Sequence, residues 1–156
     1  MKIKLEEQAL IFAVCKFKGI KNFTIVPKAV TVEQLMGRFD ETSREWTDGL
    51  LSHALRSASK ETTGKEMLIT LDGSIEPDWV ENINSVLDDN KRLNLVTGEI
   101  IHLTSRARIL LETADLSNCS PATISRCAVI YFSDEALPQK AIFNTWLTNL
   151  PEILQD

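Results

Sequence analysis

This chain has few of the side chains that hold metals. Its two histidines, His53 and His102, stand far apart, and its three cysteines (Cys15, Cys119, Cys127) have no metal-ligand spacing, which excludes the common zinc patterns. An odd number of thiols leaves one over in any pairing, so a reducing compartment is the simple reading. No apolar run approaches the roughly 20 residues of a membrane span, and no membrane partner is expected. Met1-Lys2-Ile3-Lys4 is basic, but Glu6 and Glu7 follow at once, which is not the opening of a secretory signal. A net charge of −5 argues against a nucleic-acid footprint. No Gly-x₄-Gly-Lys-Ser/Thr phosphate loop occurs. Gly64-Lys65-Glu66 lacks both the upstream Gly and the hydroxyl residue. The amides and lysine of such a loop are therefore not available to cradle β- and γ-phosphates.

What is present is an ordinary globular composition, 44% hydrophobic and 25% charged over 156 residues. One domain with a real core is the natural expectation. The chain is organised around Met67 to Asp89. Four of the five residues before Asp72 are apolar, which reads as a buried strand. After Asp72-Gly73, Pro77 opens a segment with Trp79, Val80, Ile83, Val86 and Leu87 at helical spacing. A buried strand that delivers a carboxylate just before a helix has the layout of a nucleotide-site acid on the Mg²⁺ side. Asp-Gly is equally a common turn pair, and the local pattern does not choose between the two.

Around this centre, residues 5–18 read as a largely buried helix stopped at Gly19. Phe23–Val26 is a short strand ended by Pro27. Thr31 caps a short helix running through Met36. Residues 37–44 look polar and turn-like, and Glu45–Gly49 leads into a helix carrying Leu50, Leu51, Ala54 and Leu55. Residues 57–65 form a loop. Residues 94–103 read as a hairpin turning at Thr97-Gly98, and Arg108–Glu112 as a second buried strand ending in an acid. Ser120-Pro121 starts a short helix with Arg126 at its far end, and Ala128–Phe132 follows as a third core strand. From Ala136, Leu137, Ile142, Phe143, Trp146, Leu147 and Leu150 make an amphipathic tail helix. His53 and His102 are expected at the surface, whereas Trp46, Trp79 and Trp146 are expected to pack. The adjacent Asp88 and Asp89 point in different directions if helical. The alternation predicts an α/β domain with a mostly parallel sheet.

Three stretches together resemble the AAA+ modules of the dynein heavy chain. They are Pro27-Lys28-Ala29-Val30 with Arg44-Glu45-Trp46-Thr47-Asp48-Gly49-Leu50; Asp72-Gly73 with the run from Trp79 to Lys91, which contains Asn-Ser-Val-Leu-Asp-Asp-Asn-Lys; and Ser120-Pro121-Ala122-Thr123-Ile124-Ser125-Arg126-Cys127. The resemblance covers residues 20–150 and is nearest to the second module, because the acid is followed by Gly and not Glu. Its wording looks more cytoplasmic than axonemal.

The resemblance implies a three-layer αβα P-loop NTPase large subdomain over residues 1–150. Its N-terminal strand and P-loop are missing, and residues 151–156 begin the linker to a missing lid. It implies that Asp72 is the Walker B aspartate, holding Mg²⁺ through water, and that Gly73 stands where a hydrolysing relative has its base. Such general-base help is worth about 10²–10⁴-fold. Glu112 would take the sensor position, where an anion repels a phosphate; a solvated strand end is the other reading. Arg126 matches the arginine finger that reaches a neighbouring module's nucleotide.

The implied cofactor is ATP or ADP with Mg²⁺ in a complete module, bound weakly or not at all here. The implied partners are neighbouring AAA+ modules, the linker and other dynein subunits, with microtubules engaged only indirectly. The hairpin at Thr97-Gly98 lies where such modules carry an insertion facing the linker. The implied location is the cytoplasm and cytoskeleton, or the axoneme. A free-standing dynein-like interaction protein that binds no nucleotide is the alternative.

Overall fold

The computed structural model describes residue 11 and residues 13–131, 143–144 and 147–148. The chain divides into two compact units, one of residues 14–128 and one combining 1–13 with 129–156. The first unit holds the elements described below.

Its centre is β4 (Met67–Asp72), flanked by β1 (Lys21–Ile25) and β7 (Ala107–Glu112), with both pairings parallel. Parallel neighbours need crossovers, and the segments 26–66 and 73–106 supply them. Met67, Ile69, Thr70 and Leu71 are all buried, the near-continuous burial of a strand covered on both faces. The one buried hydroxyl among them is satisfied, because Thr70 Oγ1 donates to Asn22 Oδ1 at 3.2 Å on β1.

The helix Leu50–Ser59 covers the sheet with Leu51, Ala54, Leu55 and Ala58, each at most 2% exposed. These fall at i, i+3, i+4 and i+7, one stripe of a 3.6-residue period. Burying each leucine contributes about 1.5–3 kcal/mol before the cost of ordering it. The segment after β4 is helical as expected, but in three pieces: Pro77–Val80, a 3-10 turn Glu81–Ile83, and Asn84–Leu87. Val80, Ile83 and Val86, its most deeply buried residues, are three apart. That is the period of the tighter helix, which keeps all three in the core.

Five expectations need correction. Residues 37–48 are not a turn leading to a helix. They form an antiparallel hairpin of β2 (Gly37–Asp40) and β3 (Glu45–Asp48), with Phe39 opposite Trp46. The loop between them is held by Asp40, whose Oδ1 accepts from the amides of Thr42 and Ser43 at 2.8 and 3.2 Å. The helix Leu50–Ser59 also runs through the first residues assigned to the following loop. β7 is only half-buried along Ile109–Leu111.

The fourth correction concerns the expected third core strand. Residues 128–131 form no strand, and Val129, Ile130 and Tyr131 are 58%, 76% and 87% exposed. Apolar sequence alone does not make a strand without a ladder to join, and among the described residues β7 pairs only with β4. The expected tail helix lies mostly outside the described residues; residues 143–144 and 147–148 are helical.

Other expectations match. Thr31 caps the helix Val32–Met36 in a capping box with Gln34. Residues 13–18 are helical and Gly19 has φ +66°, but the fifth expectation fails here. This stretch is not largely buried, since of residues 13–18 Cys15 alone is buried while Val14 and Phe17 are 46% and 92% exposed. The rest of that expected helix, apart from residue 11, lies outside the described residues. β5 (Arg92–Asn94) and β6 (Ile100–His102) form the second hairpin. Trp79 is buried, whereas His53 and His102 are exposed.

Candidate functional site

β4 and β7 end side by side, with Asp72 in register with Glu112. The Gly73 amide then donates to the Glu112 carbonyl at 2.9 Å, which carries the ladder one step further. Two acids thus sit at the C-terminal ends of adjacent parallel strands, the edge where open α/β sheets take their ligands. Glu112 is 7% exposed. The reading of it as a solvated strand end is therefore overturned: its side chain belongs to the interior edge of the sheet.

Gly73 has φ +143°, and a Cβ built there meets no atom of the described residues within 4 Å. Those residues leave the space open, but the backbone is one that L-residues rarely adopt. A carboxylate oxygen is a hard donor suited to Mg²⁺, so Asp72 fits the ion's side of a nucleotide site. The phosphate cradle does not fit, because these 156 residues carry no phosphate loop. Among the described residues no cluster of three or more His, Cys, Asp or Glu is placed to hold a metal.

Arg126 ends the helix Pro121–Arg126, which Ser120 caps by accepting from the Thr123 amide at 3.2 Å, with Pro121 at its first position. The structure does not join Arg126 to Asp72 or Glu112. Its Nε donates to Asp88 Oδ1 at 2.5 Å and its Nη1 to the Ala122 carbonyl at 2.7 Å. Asp88 follows the short helix Asn84–Leu87 in extended conformation. One turn earlier, Asn84 Oδ1 accepts from Thr123 Oγ1 at 3.1 Å. The side chains of Arg126 and Asp88 are 32% and 37% exposed, so this pair lies at the surface while Thr123 lies beneath it.

A second charged group ties the hairpins to the helix between them. Arg56, on the helix Leu50–Ser59, donates through Nε to Asp48 Oδ2 at 2.7 Å and through Nη2 to Glu99 Oε2 at 3.1 Å, while Nη1 bonds Glu99 Oε1. Trp46 Nε1 adds a bond of 2.6 Å to Asp48. The Arg56 guanidinium holds the carboxyls of Asp48 and Glu99 below their ordinary range. Burial pushes the thiols of Cys119 and Cys127 up, which makes them poor nucleophiles.

Sequence reasoning missed Asp88, Asn84 and Arg56. The sequence reading sets Asp88 aside because adjacent helical residues diverge. Neither acid is helical: the helix ends at Leu87, Asp88 is extended and turned onto Arg126, and Asp89 is exposed in the turn that follows. Two of the three stretches that carry the resemblance are joined by these contacts. A motif pairing of that kind is a readable signal.

No family model matches the chain. Among curated proteins it is similar to mouse dynein axonemal heavy chain 3, at 45% identity over 85% of this chain. It is similar to the cytoplasmic dynein heavy chain of Drosophila melanogaster, at 41% over 94%, and to mouse cytoplasmic dynein 2 heavy chain 1, at 42% over 89%. The chain spans about 3% of the length of these relatives. Axonemal and cytoplasmic chains match to a similar degree.

Proposed function

Because the chain is homologous to a segment of the dynein heavy chains, we propose that it forms the large-subdomain part of a non-hydrolytic AAA+ module in the motor ring. In this reading its module sits second in the ring, holds architecture there, and supplies Arg126 to the nucleotide site of the preceding module. ATP turnover and minus-end-directed microtubule movement belong to the assembled motor. The chain touches neighbouring modules, the linker and other dynein subunits, at the cytoskeleton or in the axoneme.

Arg126 is the observation that carries the reading. A guanidinium has five N–H donors, and two are used within the chain, on Asp88 and Ala122. Three remain for an external acceptor, on a side chain that is one-third exposed. A positive fork held in this way is suited to the charge that develops on a transferring phosphoryl group. Within the chain's own site, Gly73 supplies no base. Mg²⁺, when bound in a complete module, would neutralise phosphate charge beside Asp72. Asp72 would orient the ion, and Glu112 would keep a γ-phosphate at a distance.

The test is Arg126→Ala in a complete heavy chain carrying this segment at its homologous position. Turnover by the motor is expected to fall on the order of 10³-fold or more, with nucleotide still bound. Unchanged turnover would refute the role in trans. A titration of the isolated chain with a fluorescent ATP analogue and Mg²⁺ is expected to show no saturable binding. Tight binding lost in Asp72→Ala would mean that a nucleotide site is complete within these residues.

A further inference from the structure

We propose that Asp88 is a positioning residue for the finger, setting the direction in which Arg126 leaves its helix; this rests on the reading of Arg126 as acting in trans. Asn84 and Asp88 stand four residues apart, one helical turn. The residues they hold, Thr123 and Arg126, stand three apart on the opposing helix. The lower contact, Thr123 Oγ1 to Asn84 Oδ1 at 3.1 Å, is covered, since Thr123 is 2% exposed. The upper one, Arg126 Nε to Asp88 Oδ1 at 2.5 Å, is at the surface. Two bonds one turn apart fix both the rotation and the tilt of a short helix against its neighbour.

The way Asp88 binds matters as much as the fact that it does. A carboxylate that took both Nη groups end-on would mask the fork. This one takes Nε, from the side. The Ala122 carbonyl takes one Nη1 proton. What remains is Nη2 with both protons and the second proton of Nη1, so the end-on edge formed by the two Nη groups is not taken by Asp88. The plane of the fork is thereby set before any phosphate arrives. A free arginine would have to give up its rotamer entropy at that moment, and misplacing a reacting group by about 1 Å can cost on the order of 10²-fold in rate.

The experiment compares Asp88→Asn, Asp88→Glu and Asp89→Asn, with Arg126→Ala as reference, in the complete heavy chain. Asp89 is the exposed neighbour, so its amide variant changes net charge equally without touching Arg126. Asp88→Asn is expected to lower kcat by about ten- to a hundredfold, with KM for ATP within about twofold and the melting temperature unchanged. Asp88→Glu should recover part of the loss, and Asp89→Asn should match the parent. Adding Asp88→Asn to Arg126→Ala should cost nothing further, because a positioning residue has nothing left to position.

Equal kcat for Asp88→Asn and Asp89→Asn would overturn the proposal, as would a full second loss in the Arg126→Ala background. A rise in kcat would overturn it too, by showing that the carboxylate restrains the finger. If Arg126→Ala itself turns over like the parent, the reading in trans has failed and the role of Asp88 goes with it. If only the Asp88 variants behave like the parent, the finger stands and its positioning by Asp88 does not.

Discussion

Thr123 donates a hydrogen bond of 3.1 Å to Asn84, and so joins two stretches 39 residues apart in the chain. The bond is protected: Thr123 is 2% exposed, and its hydroxyl also lies 3.0 Å from that of Ser120, the cap of the same helix. Thr123→Val keeps the shape and removes the hydroxyl, leaving the Asn84 carbonyl without its donor. A loss of about 1–3 kcal/mol is expected, read as a lower urea midpoint with an unchanged slope. Ser125→Ala, on the exposed side of the same helix, should move the midpoint by no more than about 0.5 kcal/mol.

Gly37 is required by Trp46. An added Cβ at Gly37 would lie 2.1 Å from Cζ2 of that indole, and the residue's φ is +119°. Gly37→Ala therefore meets a steric and a backbone penalty together, and a loss of at least about 2 kcal/mol is expected. Trp46→Ala should relieve the first and leave the second. The double variant is then more stable than the sum of the single losses predicts, a coupling that a denaturation cycle measures.

Arg56 gives the unit an acid limb. It holds Asp48 and Glu99 below their ordinary range, and Thr63 holds Glu61 down to about 2. A carboxyl whose pKa is lower folded than unfolded contributes stability above its unfolded value, near about 4. That stability is lost as pH falls through the folded value. Stability should thus be flat from these groups between about pH 7 and 5 and should fall below about pH 4. Arg56→Met should lower stability by about 2 kcal/mol at neutral pH, chiefly through Asp48, whose side chain is 20% exposed. Glu99 is 48% exposed and adds little. The variant's acid limb should be shallower, and urea midpoints at pH 3 and pH 7 check both statements.

The central strand, the capped helices and the second hairpin were legible because each rests on local chemistry: an apolar run, a hydroxyl cap with proline, a Thr-Gly turn. The first hairpin was not. Phe39 stays 41% exposed, so β2 lacks the alternation that marks a half-buried strand. Residues 128–131 failed the other way, being apolar enough for a strand but with no ladder formed among the described residues. At the site, Asp72, Glu112 and Arg126 could be named from sequence. The grip of Asp88 on Arg126 could not, because it spans 38 residues and depends on which way a surface acid turns.

Gly73→Glu tests whether the missing base is a matter of composition alone. Among the described residues no atom lies within 4 Å of a built Cβ, so crowding from them is not the obstacle. The backbone is. At φ +143° a glutamate is strained, and holding it there costs on the order of 1–3 kcal/mol. The Gly73 amide is also committed to the Glu112 carbonyl at 2.9 Å, which resists the rotation that would relieve that strain. Relief would pull on the end of the β4–β7 ladder, and the new carboxylate would sit beside two existing ones. In a complete motor Gly73→Glu is therefore expected to add no second turnover site and to lower the melting temperature. Single-turnover assays with the neighbouring site blocked read the first, and a thermal melt reads the second. A new Mg²⁺-dependent turnover abolished by Asp72→Ala would show that the backbone can yield, and that substitution alone had silenced the site.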